Sequence, residues 1–451
     1  MKDKVLFKHL FACTLLVKLA ALPARFKSCT KPGFACVLFG AFFAPLFSPS
    51  TFAGEAGLAE EKDLVELAQI IRDLGKEKAK VKVNPYPGKA SSDKAGDSPL
   101  EIHGYIKADF IYDLASKGAD VINYQSIPLG SDAGEGHVRF HARQSRINVK
   151  KSFATPAGPL VTFVEGDFLG SGGNELLSNS AVFRIRHAYG SWGNWLLGQT
   201  WSTFVDVKSY PETIDLGNAA GQTLLRQPMV RYSKSFDDFK LMTSLENPET
   251  DVNYTAGTED AIEQDKQPDF ILRGIANKPW GHVSVQYVHR KLAAYRELAG
   301  QEETASTSGY ALALSGKIKL PGQDDVRFSL ASGRGTGRYI QESTNAAADL
   351  YLDNDKLRLS ANDSSGGYLA YRHWWNDSWR SNFALGFARV DYRMSDEEES
   401  YHTYLANLFY QVNKRFLLGV EYLYGERKLT TDYDVTRGEI KRLELSARYS
   451  F

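Results

Sequence analysis

The chain has 451 residues, with 54 Lys and Arg against 54 Asp and Glu and 43% hydrophobic residues. A formal charge of zero provides no domain-wide basic surface for nucleic acid. All three cysteines, Cys13, Cys29 and Cys36, lie near the N-terminus, which leaves the rest of the chain no thiol for a disulfide, a zinc site or a nucleophile.

Residues 1–53 read as a signal peptide. Lys2, Lys4, Lys8, Lys18, Arg25, Lys27 and Lys31 precede an apolar run from Phe34 to Phe47, and small residues lead to a cleavage point after Ala53. The run is interrupted by Pro45 and is shorter than the roughly 20 residues a spanning helix needs. The segment removes seven basic residues and one acid, Asp3, so the exported chain carries 47 basic and 53 acidic residues. In residues 54–80, Leu64, Leu67, Ile71 and Leu74 recur at the 3,4 spacing of a coiled-coil seam. They predict a periplasmic helix that pairs with copies of itself or lies on the barrel or membrane. Residues 81–100 are rich in Pro, Gly, Ser and Lys and read as a flexible linker.

Residues 101–451 predict an all-β transmembrane barrel of about 16 antiparallel strands. Candidate strands fall near 101–112, 137–151, 158–169, 181–191, 193–200, 227–234, 238–246, 268–276, 281–292, 308–319, 324–334, 365–376, 379–391, 402–413, 415–428 and 439–451. The last shows the reason most clearly: Leu443, Leu445, Ala447, Tyr449 and Phe451 alternate with Glu444, Ser446, Arg448 and Ser450. Lipid on one face and water on the other demand that alternation. The connections alternate long and short, with long ones at 113–136, 170–180, 201–226, 247–267, 293–307, 335–364, 392–400 and 429–438. Long external loops and short periplasmic turns produce that parity, whereas a soluble sandwich has no reason to sort its loops by length. Trp192, Trp195, Trp280, Trp374, Trp375 and Trp379 lie near short turns, where an amphipathic ring sits at the membrane interface, and Trp201 does not.

The lumen face carries the chemistry. Arg139 and Arg143 alternate with Val138, Phe140 and Ala142, and Arg184 and Arg186 with Phe183 and Ile185. A guanidinium is permanently charged and grips carboxylates bidentately, which suits it to guiding anions through a pore. The same arginines also have acids within reach, Glu165, Asp167 and Glu246, and pairing with these would brace the wall instead. The connection 201–226 would narrow the channel if it folded inward, with Asp206, Glu212 and Asp215 opposing the arginines to set a transverse field.

These residues carry a family resemblance. The run from Phe183 to Trp192, Leu197 to Phe204, Arg143-Gln-Ser-Arg-Ile147, Glu165-Gly-Asp-Phe168 and Ser244-Leu-Glu-Asn-Pro248 resemble the DcaP-like outer-membrane porins. The resemblance implies a periplasmic coiled coil before a sixteen-stranded barrel, assembly as a homotrimer, and passive uptake of small anionic solutes, dicarboxylates among them. It implies a substrate pathway along Arg143, Arg146, Arg184, Arg186 and Arg231, no cofactor, and outer-membrane lipid as the surroundings. The acidic loops of the second half match less specifically.

Two further readings stay beside it: a sugar-selective porin, which calls for aromatic tracks in the lumen, and a non-conducting structural or adhesive barrel, which calls for a lumen closed by paired charges. Catalysis is not expected, because the histidines from His103 to His402 stand in no catalytic spacing. No metal site is expected either: His137 and His141 share one strand face, where lumen or loop hydrogen bonding explains them.

Overall fold

The computed structural model describes residues 98–451, apart from 131–133, 135, 172, 173, 175, 177 and 299. The expectations for residues 1–53 and 54–80, and for most of the linker, lie outside the described residues. Sixteen antiparallel strands form a closed wall: β1 (Glu101–Ala115), β2 and β3 (His137–His141 and Arg146–Phe153, two pieces of one strand), β4 (Leu160–Gly170), β5 (Val182–Trp192), β6 (Trp195–Trp201), β7 (Arg226–Phe236) and β8 (Phe239–Glu246) make its first half. After two short external strands, β9 (Val252–Tyr254) and β10 (Ile262–Glu263), the wall continues with β11 (Asp269–Lys278), β12 (Gly281–Leu298), β13 (Gln301–Lys319) and β14 (Asp325–Arg334). Following the external pair β15 (Ala348–Asp353) and β16 (Lys356–Ala361), it ends with β17 (Asp363–Trp374), β18 (Trp379–Asp391), β19 (Glu398–Gln411), β20 (Phe416–Thr430) and β21 (Val435–Ser450). Pairing of β1 with β21, from Tyr105 opposite Ser450 to Ala115 opposite Lys441, closes the sheet, so among the described residues no wall strand is left with an unpaired edge in lipid.

Alternation decides which face looks where. In β18, Phe383, Leu385 and Phe387 are exposed at 39%, 50% and 38%, while Asn382, Ala384 and Ala388 on the alternate positions are buried. The exposed set faces lipid, and the buried set faces inward against other parts of the chain. Trp192, Trp195, Trp280, Trp375 and Trp379 are exposed at the short-turn end, as an interfacial girdle requires. Trp374 departs from that expectation: it faces the lumen, where Arg372 and Arg380 lie 5.5 and 5.1 Å from its ring.

Three features differ from the sequence expectation. The predicted second strand is broken at 142–145, where Lys107 reaches across to Gln144 Oε1 at 2.6 Å and to the Ser145 hydroxyl through its backbone N–H. The predicted loop 293–307 is instead strand, since β12 and β13 stay paired out to Leu298 opposite Gln301. The predicted loop 335–364 contains β15 and β16, which form a hairpin turned by Asn354 and Asp355, both at positive φ. That hairpin adds β9 in parallel and packs Leu350 and Leu357 against Leu292, Ala294 and Ala305 of the extended β12–β13 pair.

Candidate functional site

The connection 202–225, between β6 and β7, folds into the barrel and is laid along the inner wall strand by strand. Arg273 of β11 donates to the Val205 carbonyl at 2.6 Å, and Arg327 of β14 to that of Tyr210 at 2.5 Å. Further along, Asn407 of β19 donates to the Glu212 carbonyl, Glu421 of β20 accepts the N–H groups of Ile214 and Asp215, and Lys107 of β1 donates to the Ile214 carbonyl. Each of these wall groups gives a backbone amide or carbonyl the partner it would otherwise lose on leaving water.

The returning arm, 216–225, lies on β17 and β18, which are built small to receive it. Ala220 packs with Ala370, Ala384 and Ala388. Gly221, at φ +80°, approaches so closely that a Cβ there would stand 2.1 Å from the Gly367 nitrogen and 2.0 Å from the Phe387 oxygen. Ile122 and Tyr124 of the first connection fill the remaining space, and the Tyr124 hydroxyl donates to the Asn218 carbonyl.

What is left open is a cavity of about 2060 Å³. Its lining runs from Lys117 and Asp120 of the first long connection to Lys278, Lys319, Lys414 and Arg415 at the short-turn end. Seventeen of its lining residues are Lys or Arg: Lys117, Arg139, Arg143, Arg146, Arg184, Arg186, Lys208, Arg226, Lys278, Lys317, Lys319, Arg327, Arg372, Arg380, Lys414, Arg415 and Arg448. Among the described residues two of the lining side chains, Asp120 and Glu212, are acidic.

The arginines form two clusters. In the first, Arg184 grips Asp167 with both Nε and Nη2 at 3.0 Å, Arg186 bridges Asp167 at 2.8 Å and Glu165 at 3.0 Å, and Arg146 stands 3.4 Å from Glu165. Three cations share two acids, so one positive charge remains. Beside them the Arg226 guanidinium stacks 4.3 Å over the Trp201 ring, where its partner is a π face.

The second cluster was missed in the sequence. Arg380 forks onto Glu212 at 2.5 and 2.9 Å, Arg372 joins Glu212 to Asp325, and Arg327 holds Asp325 at 2.6 Å. Again three cations share two acids. In the strand order β5 and β17 are eight wall strands apart in a wall of sixteen, so the clusters face each other across the bore. The signal was present in Val326-Arg327-Phe328 and Trp379-Arg380, the same apolar and basic alternation that marked the first half.

Of the expected pathway arginines, Arg143, Arg146, Arg184 and Arg186 line the cavity. Arg143 does so from the break in the second strand, paired with Asp120 and with Asn179 Oδ1 at 2.6 Å. Arg231 is not among the lining residues; it donates to Thr203 Oγ1 and the Trp201 carbonyl and ties down the root of the inward loop.

The three loop acids also separate. Glu212 reaches the lumen, although clamped by Arg380 and Arg372. Burial works to raise its carboxyl, but the Arg380 bond and then the charges of Arg380, Arg372 and Arg327 bring it down to about 2. Asp206 points away, held by His282 at 2.7 Å, Arg273 at 2.9 Å and Ser315 at 3.0 Å. Asp215 is fully buried on Arg442 at 2.8 Å, which also forks onto Asp113. These two acids therefore fasten the loop to the wall, and of the three loop acids expected to oppose the arginines only Glu212 reaches the lumen.

The family model described as "DcaP outer membrane protein" matches residues 65–451. Among solved structures, the outer membrane channel DcaP of Acinetobacter baumannii is similar at a TM-score of 0.67 and 22% identity, covering 80% of this chain and 99% of that one. A loop-deletion form of OmpT from Vibrio cholerae follows at 0.52 and 13%, over 79% and 100%. The anion-selective porin from Comamonas acidovorans stands at 0.50 and 12%, over 79% and 100%. At these identities the structural likeness speaks for the fold. Among curated proteins no sequence matches. The family match spans most of the chain, which therefore belongs to the DcaP outer membrane protein family of outer-membrane channels.

Proposed function

We propose that the chain is a porin through which small, preferably anionic solutes, dicarboxylates among them, diffuse passively across the outer membrane. The observation that supports this reading is the charge of the cavity wall, seventeen Lys and Arg against Asp120 and Glu212. In a water-filled bore each unpaired cation attracts an anion and repels a cation by about 1 kcal/mol each at ~4 Å, a preference of about 2 kcal/mol, and focusing by the low-dielectric wall adds to that. A dianion has a further advantage, since each of the two arginine clusters keeps one net positive charge and they stand on opposite walls, one for each carboxylate. The inward loop sets the size limit, and diffusion supplies the driving force. No step needs a cofactor.

The same reading assigns residues 1–53 to export and residues 54–80 to a periplasmic coiled coil, joined by 81–100 to the barrel from 101 onward. The heptad spacing of Leu64, Leu67, Ile71 and Leu74 supports a homotrimer held together below the membrane. The test is the ion selectivity of the purified protein in a planar bilayer, followed by competition with a dicarboxylate. Chloride preference with block by the dicarboxylate supports the proposal. Cation preference removes the arginine pathway, and a channel blocked by sugars and indifferent to dicarboxylates replaces this reading with the sugar-selective one.

A further inference from the structure

Two external connections meet inside the barrel, and the group that joins them is an acid. Residues 337–343 of the sixth long connection descend into the bore through two short 3-10 turns, Gly337–Tyr339 and Gln341–Ser343. Tyr339 is buried there, donating to Asp269 at 2.9 Å, and Ile340 packs with Phe204 and Ile271. Next to them Glu342, 1% exposed, accepts the Gly221 N–H through Oε2 at 2.9 Å. Its other oxygen, Oε1, is buried without a hydrogen-bond partner among the described residues. Gly221 has no slack of its own, being pressed on the Gly366, Gly367 and Phe387 backbone.

The charges around this acid are all engaged elsewhere. From the first connection come Gln125, whose amide donates to the Glu342 carbonyl, and the buried phenol of Tyr124. Arg427 of β20 is taken by the Gln125 and Ile127 carbonyls and by Glu399. In the sixth connection itself Arg338 turns to the Asn247 carbonyl, while Asp251 of the fourth accepts the N–H groups of Arg338 and Asn345. β17 and β18 present Ala370, Ala384, Ala388 and glycines to the loop arm. Among the described residues no cation pairs with Glu342. A carboxylate so placed has lost its water and gained one N–H donor, and burial pushes its carboxyl up to about 7.

We propose that Glu342 is a proton-operated latch between the third and sixth connections. Protonated, it sits neutral in its apolar seat and holds the returning arm of the constriction loop against β17 and β18. Ionised, it is driven toward water and toward the cationic lumen, and the arm is released. Because burial raises the carboxyl above its ordinary value, the junction is strongest below about pH 4.5, weakens as the pH rises toward 7, and changes no further above that. The bore is therefore narrow and quiet in acid, and wider with more frequent transitions in mild alkali.

The latch rests on the conducting barrel proposed above. The full chain is recorded in planar bilayers in symmetrical potassium chloride from pH 5 to 9. Expected for the wild type is a single rise of at least twofold in transition frequency, centred near pH 7. Glu342→Gln, which cannot ionise, stays in the quiet state throughout, and Glu342→Asp, too short to reach Gly221, behaves at pH 5 as the wild type does at pH 8. A flat wild-type profile overturns the latch whether or not the variants insert, as does the same rise in Glu342→Gln. A barrel silent at every pH overturns the porin reading and the latch together, whereas a conducting barrel with a flat profile overturns the latch alone.

Discussion

Replacing Arg184 and Arg186 together with Gln tests the first arginine cluster quantitatively. At present Arg146, Arg184 and Arg186 face Glu165 and Asp167, a net charge of plus one. The double variant turns this to minus one, a change of two charges. At about 1 kcal/mol per charge near 4 Å in water, of opposite sign for chloride and potassium, that is about 4 kcal/mol between the two ions, or at most roughly a thousandfold in the chloride to potassium permeability ratio. Screening at ~0.1 M salt acts over a longer distance, about 10 Å, and leaves most of it. The variant also leaves Asp167, fully buried, short of cations, so the wall itself is weakened. Adding Asp167→Asn repairs that and brings the cluster to zero, a change of one charge. The zero-current potential in a salt gradient should therefore shift about twice as far, in logarithm of the ratio, for the double variant as for the triple. Equal shifts, or none, refute the role given to these charges.

Other outcomes follow from the loop's anchors. Arg442→Met strands Asp113 and Asp215 in the wall, and breaking such a buried pair costs about 3–5 kcal/mol; a lower temperature for loss of the compact band in unheated gel samples, with larger conductance steps, is expected. Gly221→Val cannot be seated, both because of its φ of +80° and because of the Phe387 oxygen 2.0 Å from the added Cβ, so the arm lifts and conductance rises while the barrel stays folded. Glu212, held down to about 2 by Arg380, stabilises the loop at and above the ordinary carboxylate range and loses that effect only as the pH falls toward 2. The stabilisation is about 2–3 kcal/mol after discounting its partial exposure. Glu212→Gln should accordingly raise anion preference at neutral pH, read as a larger reversal potential.

The barrel wall was legible in the sequence because lipid imposes a rule on every second residue. Where the rule lapses, reading failed. In β12 and β13 beyond Lys291, the outward positions include Glu302, Thr304 and Ser306 and the inward ones Ala294 and Ala305, so neither face is marked and the pattern carries no strand signal. The hairpin β15–β16 did carry a signal, Leu350, Leu352, Leu357 and Leu359 alternating around Asn354-Asp355, but it was hidden by its place in a long connection. The first arginine cluster was visible for the same reason as the strands that bear it. Asp206 and Asp215 were placed in the right loop, yet on the wrong side of it, since only the path of the backbone decides which side chains turn to the wall.

The proposed function holds that this bore passes anions because its walls are positively charged. Its most direct test is the zero-current potential of the purified wild-type protein in a planar bilayer under a potassium chloride gradient. A potential of the sign set by chloride, collapsing toward zero as salt rises to 1 M and the Debye length shrinks to about 3 Å, is the predicted result. A potential of the opposite sign, or none at low salt, would contradict it.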